Sequence, residues 1–425
     1  MDMRFKKTIL ALCCSATLLL TACNDDKDDV VLTPPASSSV YVGETAYIKD
    51  TLQNAASISI MTYNMENVAG KMAKATALVI YPKTAKPKDG WRVVVWEHGT
   101  VGVGDSCAPS NNALGQNFAG LAEDLLAKGY VIVAPDYEGL GTAGIHPYLN
   151  LISESKSALA AVAAFKEKYA DQLNGAWMSV GQSQGGQASI GTAEYANTDS
   201  SYKGAVAGAP ASSLGDIILK VAPQALKEIE VQEKQFNVPL ANRNSVQSYA
   251  TLLSYAALTG IGIKAYEPRF DYHEIFQDRS KPLATLGEGT TGENGLCLQS
   301  TDPTSSLVSR FQQDIIAFML ADPNASVMDY PGLNVENFEK NETIKKFLVD
   351  SQPGTKRIDK PLLILQGKLD TNVPYVVTQA MVANLKALGS PDVELVLVEK
   401  ASHTQAIVLE QERLVKFVQQ HMPAS

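Results

Sequence analysis

Eight short runs rich in β-branched and aromatic residues, most of them separated by stretches of helical periodicity, constrain this chain more than any other feature. They fall at residues 57–63, 77–81, 92–96, 130–134, 177–181, 205–208, 361–366 and 394–398. Strands covered on both faces read as continuous apolar runs, and parallel pairing needs a crossover, usually a helix, between consecutive strands. The expected fold is therefore α/β, with a mostly parallel eight-stranded sheet flanked by helices and the first two strands antiparallel at its edge. Between the fourth and fifth runs, Ala158, Ala161, Val162 and Phe165 share one face at helical spacing, which predicts a crossover helix over 154–169.

The alternation stops after Pro210 and resumes at Pro361, a gap far longer than a βα unit requires. Residues 211–360 are thus expected to be an insertion between core segments 40–210 and 361–425. Within it, Leu214, Ile217, Ile218 and Val221 keep one helical face, residues 249–258 suggest a second helix, and Leu307, Phe311, Ile315 and Phe318 mark a third. The Gly- and Thr-rich stretch 287–295 reads as a loop.

Gly181-Gln182-Ser183-Gln184-Gly185 follows one of the strand runs and precedes a helical pattern. That is the context of a nucleophile elbow, a sharp turn that exposes a serine oxygen and needs small residues at Gly181 and Gly185. A serine hydroxyl attacks only when a base takes its proton. Of the five histidines, His98, His146, His273, His403 and His421, only His403 follows the last strand run by a few residues, where the chain order serine, acid, histidine puts the base. The acid must lie between them, and Asp370, after strand run 361–366 and a Gly turn, is the candidate. Asp350 and Asp359 precede that strand and are weaker rivals. A helix-capping role is the plain structural alternative for Asp370. Backbone donors for an oxyanion are expected from Gln184, directly after the serine, and from Gly99 or Thr100 after the third run, with His98 packing structurally.

The N-terminal stretch bears on compartment. Arg4, Lys6 and Lys7 precede an apolar run, 8–20, too short to span a bilayer comfortably. It ends in Leu20-Thr21-Ala22-Cys23, which resembles the bacterial lipobox. Residues 1–22 are read as a signal peptide, Cys23 as the lipid anchor and 23–39 as a solvated tether. The expected location is that of an exported bacterial lipoprotein, in the outer membrane because Asn24 rather than Asp follows Cys23. Removing 1–22 takes Asp2 with Arg4, Lys6 and Lys7, a net loss of two positive charges, so the formal −9 becomes −11. Such an acidic chain offers no footprint for nucleic acid, and the only membrane contact expected is the anchor. Cys13 and Cys14 leave with the signal, so Cys107 and Cys297 remain as a pair expected to form a disulfide in an oxidising compartment, two buried thiols being the alternative. No metal-ligand spacing and no cofactor motif is present.

Three stretches together resemble the secretory lipase family of α/β hydrolases: Glu97-His98-Gly99-Thr100 running to Asp105-Ser106-Cys107-Ala108-Pro109-Ser110; Gly129-Tyr130-Val131-Ile132-Val133-Ala134-Pro135-Asp136-Tyr137-Glu138-Gly139-Leu140-Gly141 followed by His146-Pro147-Tyr148-Leu149; and residues 181–186. The resemblance implies an α/β-hydrolase fold with a large helical cap inserted after the sixth strand, and hydrolysis of carboxylic esters by a Ser183, Asp370 and His403 triad. Residues 211–360 show little that aligns, so acyl preference stays open. The same triad cleaves peptides at proline or releases acyl groups from polysaccharides, and a non-catalytic surface-binding lipoprotein is a further alternative. Asp136 and Glu138 are expected in buried structural hydrogen bonds, with contact between the two or at the substrate entrance as the other reading.

Overall fold

The computed structural model describes residues 39–424 apart from 301 and 303. The expected signal peptide 1–22, anchor Cys23 and tether up to residue 38 lie outside the described residues.

The strands are β1 (Tyr41–Ala46), β2 (Ala55–Glu66), β3 (Met72–Pro82), β4 (Trp91–Glu97), β5 (Tyr130–Pro135), β6 (Leu173–Gln182), β7 (Tyr202–Gly208), β8 (Leu362–Gly367) and β9 (Val393–Val398). They form one sheet in the order β1-β2-β3-β5-β4-β6-β7-β8-β9. The sheet has nine strands where eight were expected. The extra strand, β1, carries Gly43 and Glu44, is half exposed and pairs only with β2. An edge strand needs no apolar run, so the hydrophobic pattern gave no sign of it. β2 and β3 pair antiparallel as expected, although β1 rather than β2 takes the edge. β3 joins β5 antiparallel, and the six strands from β5 to β9 run parallel, for example Val94 beside Ile132 and Met178.

The period of two along each strand divides the core. Val93, Val95, Val131 and Val133 face one side and pack with Ala161 and Phe165 of the crossover helix. Val94, Trp96, Ile132 and Val180 face the other and pack with Leu121, Leu125, Leu414 and Val418. Helix α1 (Gln116–Ala127) lies between β4 and β5, α2 (Leu151–Tyr169) between β5 and β6, and α3 (Gln184–Tyr195) directly after β6. α2 starts three residues before the expected position because the Asn150 side chain accepts the Ser153 N–H and caps it.

Residues between β7 and β8 are mainly helical and supply most of another apolar cluster, which Val103, Tyr148, Leu149, Val373 and Val377 join from the core segments. The face begun at Leu214 passes through a π-helical segment, Ile217–Val221, into a helix over Ala222–Gln235. Asn244–Ile263 and Leu307–Ala321 follow, with Lys281–Glu288 between them, so Gly287 and Glu288 end a helix and do not belong to the loop expected there. A disulfide joins Cys107, after β4, to Cys297, ahead of the Leu307–Ala321 helix. No helix among the described residues is long and apolar enough to cross a membrane.

Candidate active site

Ser183 is the single residue between β6 and α3, at φ 61° and ψ −116°. A left-handed backbone at a non-glycine residue costs about 1–3 kcal/mol and persists only where its surroundings over-determine it. Here the Ser183 N–H donates to the Gly208 carbonyl at 2.8 Å, and its own carbonyl accepts the N–H groups of Gln187 and Ala211 at 3.0 and 3.2 Å. The flanking glycines are sterically required. A Cβ at Gly181 would stand 1.9 Å from the Gly185 carbonyl oxygen, and one at Gly185 would stand 1.8 Å from that of Glu97.

His403 follows β9 and brings its Nε2 to 2.8 Å from Ser183 Oγ. Its Nδ1 lies 2.8 Å from Asp370 Oδ2. The Asp370 side chain is fully buried and that of His403 is 12% exposed, so the row ends at an accessible edge. A carboxylate only accepts, which puts the ring proton on Nδ1 and leaves the Nε2 lone pair for the Ser183 hydroxyl. Asp370 is itself held by Gln366 Nε2 at 3.0 Å and by the N–H groups of Asn372 and Val373, both at 2.9 Å.

The rival residues lie elsewhere. Asp350 pairs with Lys346, and Asp359 with Arg357 and Asn197. His273 pairs with Asp271, and His421 packs on Phe417. His98 is buried between the carbonyl oxygens of Gly99 and Asp136, at 2.7 and 3.2 Å, where burial lowers its pKa. Asp136 accepts from Thr76 Oγ1 and from the Ser110 N–H, and Glu138 from the Val68 N–H and Ser153 Oγ. Both carboxyls brace loops, and burial raises both, Asp136 to about 6.

Gln184 opens α3, so its N–H has no acceptor within the helix. Across from it, a Cβ at Gly99 would stand 3.7 Å from Ser183 Cβ, which puts the Gly99-Thr100 backbone beside the serine. The Gly99 carbonyl is turned onto His98. In a trans peptide the N–H points opposite to the carbonyl, so the Thr100 N–H is directed away from His98.

Beside Ser183 lies a cavity of about 80 Å³ with a mostly apolar wall. Leu214, Ile217 and Ile218 supply one side, and Leu252, Tyr255 and Ala256 another. Thr259 and Asn372 are among the polar residues that line it, and Phe338, Ile344, Phe347 and Leu348 add a third side. These last four escaped the sequence reading, although Ile344, Phe347 and Leu348 fall at helical i, i+3, i+4 spacing. Their helices, Val335–Lys340 and Glu342–Asp350, are short. No cluster of His, Cys, Asp and Glu suited to a metal ion occurs among the described residues.

A mostly parallel sheet flanked by helices, with a serine on the tight turn between β6 and α3, defines the α/β-hydrolase fold. Residues 313–425, which contain Asp370 and His403, match the model of the prolyl oligopeptidase family. Over the whole fold, the chain is similar to the rice cell wall degrading esterase LipA from Xanthomonas oryzae, at 19% identity and TM-score 0.61, covering 91% of this chain and 98% of that one. Candida antarctica lipase A in its closed state is similar at 17% identity and TM-score 0.63, with 93% and 85% covered. No curated protein sequence matches the chain.

Proposed function

We propose that this protein is a serine hydrolase that cleaves carboxylic esters through an acyl-enzyme on Ser183. The observation that carries the reading is the row Ser183 Oγ, His403 and Asp370, linked at 2.8 Å twice and set against an apolar cavity. Ser183 attacks the ester carbonyl as His403 Nε2 takes its proton, and the imidazolium then protonates the leaving alcohol. Asp370 holds the ring in the required tautomer and stabilises the imidazolium. The N–H groups of Gln184 and Thr100 receive the oxyanion. Water attacks the acyl-enzyme with the same base. The acyl group occupies the cavity, under the helices of residues 211–360 acting as a cap.

Peptide cleavage is favoured by one finding, the prolyl oligopeptidase match over 313–425. A peptide substrate needs polar partners for its backbone, and the wall of this cavity is mostly aliphatic and aromatic. The ester reading also agrees with the esterase and lipase among the similar folds. Turnover of p-nitrophenyl esters against aminoacyl-prolyl anilides, with Ser183→Ala and a fluorophosphonate probe, decides between them. Ester turnover and probe labelling are expected, and both should vanish in Ser183→Ala, the rate falling by roughly 10⁴-fold or more. Labelling of the alanine variant, or turnover of the anilides alone, contradicts the proposal.

Export and lipid attachment at Cys23, with anchoring in the outer membrane, belong to the same reading. They rest on the lipobox-like Leu20-Thr21-Ala22-Cys23, and the Cys107–Cys297 disulfide agrees with an oxidising compartment. Metabolic labelling with palmitate, lost in Cys23→Ala, tests it.

A further inference from the structure

Gln184 has a second set of contacts besides its backbone. Its side chain turns inward, and Nε2 meets Glu154 Oε1 at 2.7 Å and His146 Nε2 at 3.0 Å. Glu154 stands in the first turn of α2 and His146 in the loop ahead of it, and both are fully buried. His146 Nδ1 lies 2.8 Å from the Glu138 carbonyl oxygen, which can only accept, so the ring proton sits on Nδ1 and Nε2 presents its lone pair. Each Nε2 proton of Gln184 therefore has its own acceptor. Glu154 Oε1 also takes the N–H of Leu149, a residue at φ 59°.

No Lys or Arg is bonded to Glu154 among the described residues. The titratable groups that face it are Glu97 at the end of β4, Tyr137 after β5, and Tyr148 ahead of α2, with His146 sharing the Gln184 amide. Without a cation, a buried carboxylate is unfavourable, and burial pushes Glu154 up to about 8. Burial therefore favours the uncharged acid at neutral pH, with Oε1 accepting from Gln184 and Leu149.

We propose that Glu154 is a positioning residue for the oxyanion donor: by holding the Gln184 side chain against His146, it fixes the peptide that joins Ser183 to Gln184. The proposal rests on the ester-hydrolase reading above. Ser183 occupies a strained conformation, and the peptide after it must present its N–H at about 2.7–3.1 Å from the developing oxyanion. The hydrogen bonds that the Ser183 carbonyl accepts from the Gln187 and Ala211 N–H groups orient that peptide from one end, and the Glu154 contact adds a hold on the Gln184 side chain at the other. Ionisation of Glu154 adds an uncompensated negative charge behind a peptide whose task is to stabilise a second one.

The test measures p-nitrophenyl acetate hydrolysis by wild-type protein, Glu154→Gln and Glu154→Ala. A glutamine oxygen can accept both N–H groups, so Glu154→Gln should stay within about threefold of wild type in kcat at pH 7, whereas Glu154→Ala should lose roughly ten- to a hundredfold in kcat with KM little changed. Above about pH 8, wild-type kcat should fall while that of Glu154→Gln holds. An alanine variant as fast as wild type, or a glutamine variant as slow as alanine, overturns the proposal. If the alanine variant does not fold, the alkaline arm decides, and identical profiles for wild type and Glu154→Gln overturn it. A wild-type protein inactive on every ester removes the hydrolase reading and this proposal with it, an outcome distinct from active variants that do not differ.

Discussion

The Asp370 carboxylate meets Nδ1 of His403 at 2.8 Å, although the two residues stand on loops that follow different strands. Backbone contacts set the distance. The Leu369 N–H donates to the Ala401 carbonyl at 3.0 Å and joins the two loops, and Oδ1 of Asp370 is occupied by the N–H groups of its own turn. The side chain that reaches the ring is therefore fixed before the ring is present.

Replacing that carboxylate should be severe. Asp370→Asn allows the amide to donate to Nδ1, which favours the wrong tautomer, and kcat for ester hydrolysis should fall by roughly four orders of magnitude. Asp350→Asn and Asp359→Asn alter exposed pairs with Lys346 and Arg357 and should stay within about twofold of wild type. A comparable loss in either control would mean that the acid has been misassigned.

Cavity shape should govern acyl length. Leu252 and Ile218 line both the cavity beside Ser183 and another of about 160 Å³, so truncating either to Ala should join the two. The preferred acyl chain should lengthen, at roughly 1–3 kcal/mol of discrimination per methylene, with acetyl turnover retained. Leu253 is fully buried and lines neither cavity. Leu253→Ala should cost roughly 2–5 kcal/mol of stability and leave the profile of kcat/KM against acyl length unchanged. The reverse pattern would place the substrate elsewhere.

The disulfide spans 190 residues of sequence, and constraining so long a loop in the unfolded chain contributes roughly 2–5 kcal/mol. The double variant Cys107→Ser, Cys297→Ser should melt several degrees lower. Alkylation of unreduced protein, read by intact mass, should leave both cysteines unmodified; two labelled thiols would show that the bond is absent.

Three buried acids predict how stability depends on pH. Burial pushes Asp136 up to about 6, Glu194 to about 7 and Glu154 to about 8, against roughly 4 in an unfolded chain. A raised folded value means that the native state holds the proton more tightly. The stability these groups contribute is complete below about pH 4 and is lost as pH rises through 6 to 8, at about 1.4 kcal/mol for each pH unit that separates a group's folded and unfolded values. Thermal unfolding should occur at higher temperature at pH 5 than at pH 8.5. Glu194→Gln should flatten part of this slope, because Glu194 uses one oxygen to accept the Gly354 and Thr355 N–H groups and an amide oxygen does the same. A Tm that rises with pH across the window contradicts the assignment.

The sheet and the site were unequally legible in the sequence. Strands β3 to β8 were marked by apolar runs because both their faces are largely covered, and β2 and β9, half exposed, still carried enough β-branched and apolar residues to show. The elbow was marked by Gly181 and Gly185, whose missing side chains are a local steric necessity. β1 left no mark, since it pairs only with β2 and its Gly43, Glu44 and Thr45 break any apolar run.

What local composition dictates, and the chain therefore specified without any tertiary information, is the alternation of elements, the strained turn at Ser183 and the candidate residues His403 and Asp370. Only the folded arrangement decided the rest. Phe338, Ile344 and Phe347 reach the cavity beside Ser183 through the packing of two short helices, and Glu154 meets Gln184 across thirty positions of sequence. Such contacts depend on where the sheet and helices bring distant segments together, and no run of neighbouring residues encodes that distance.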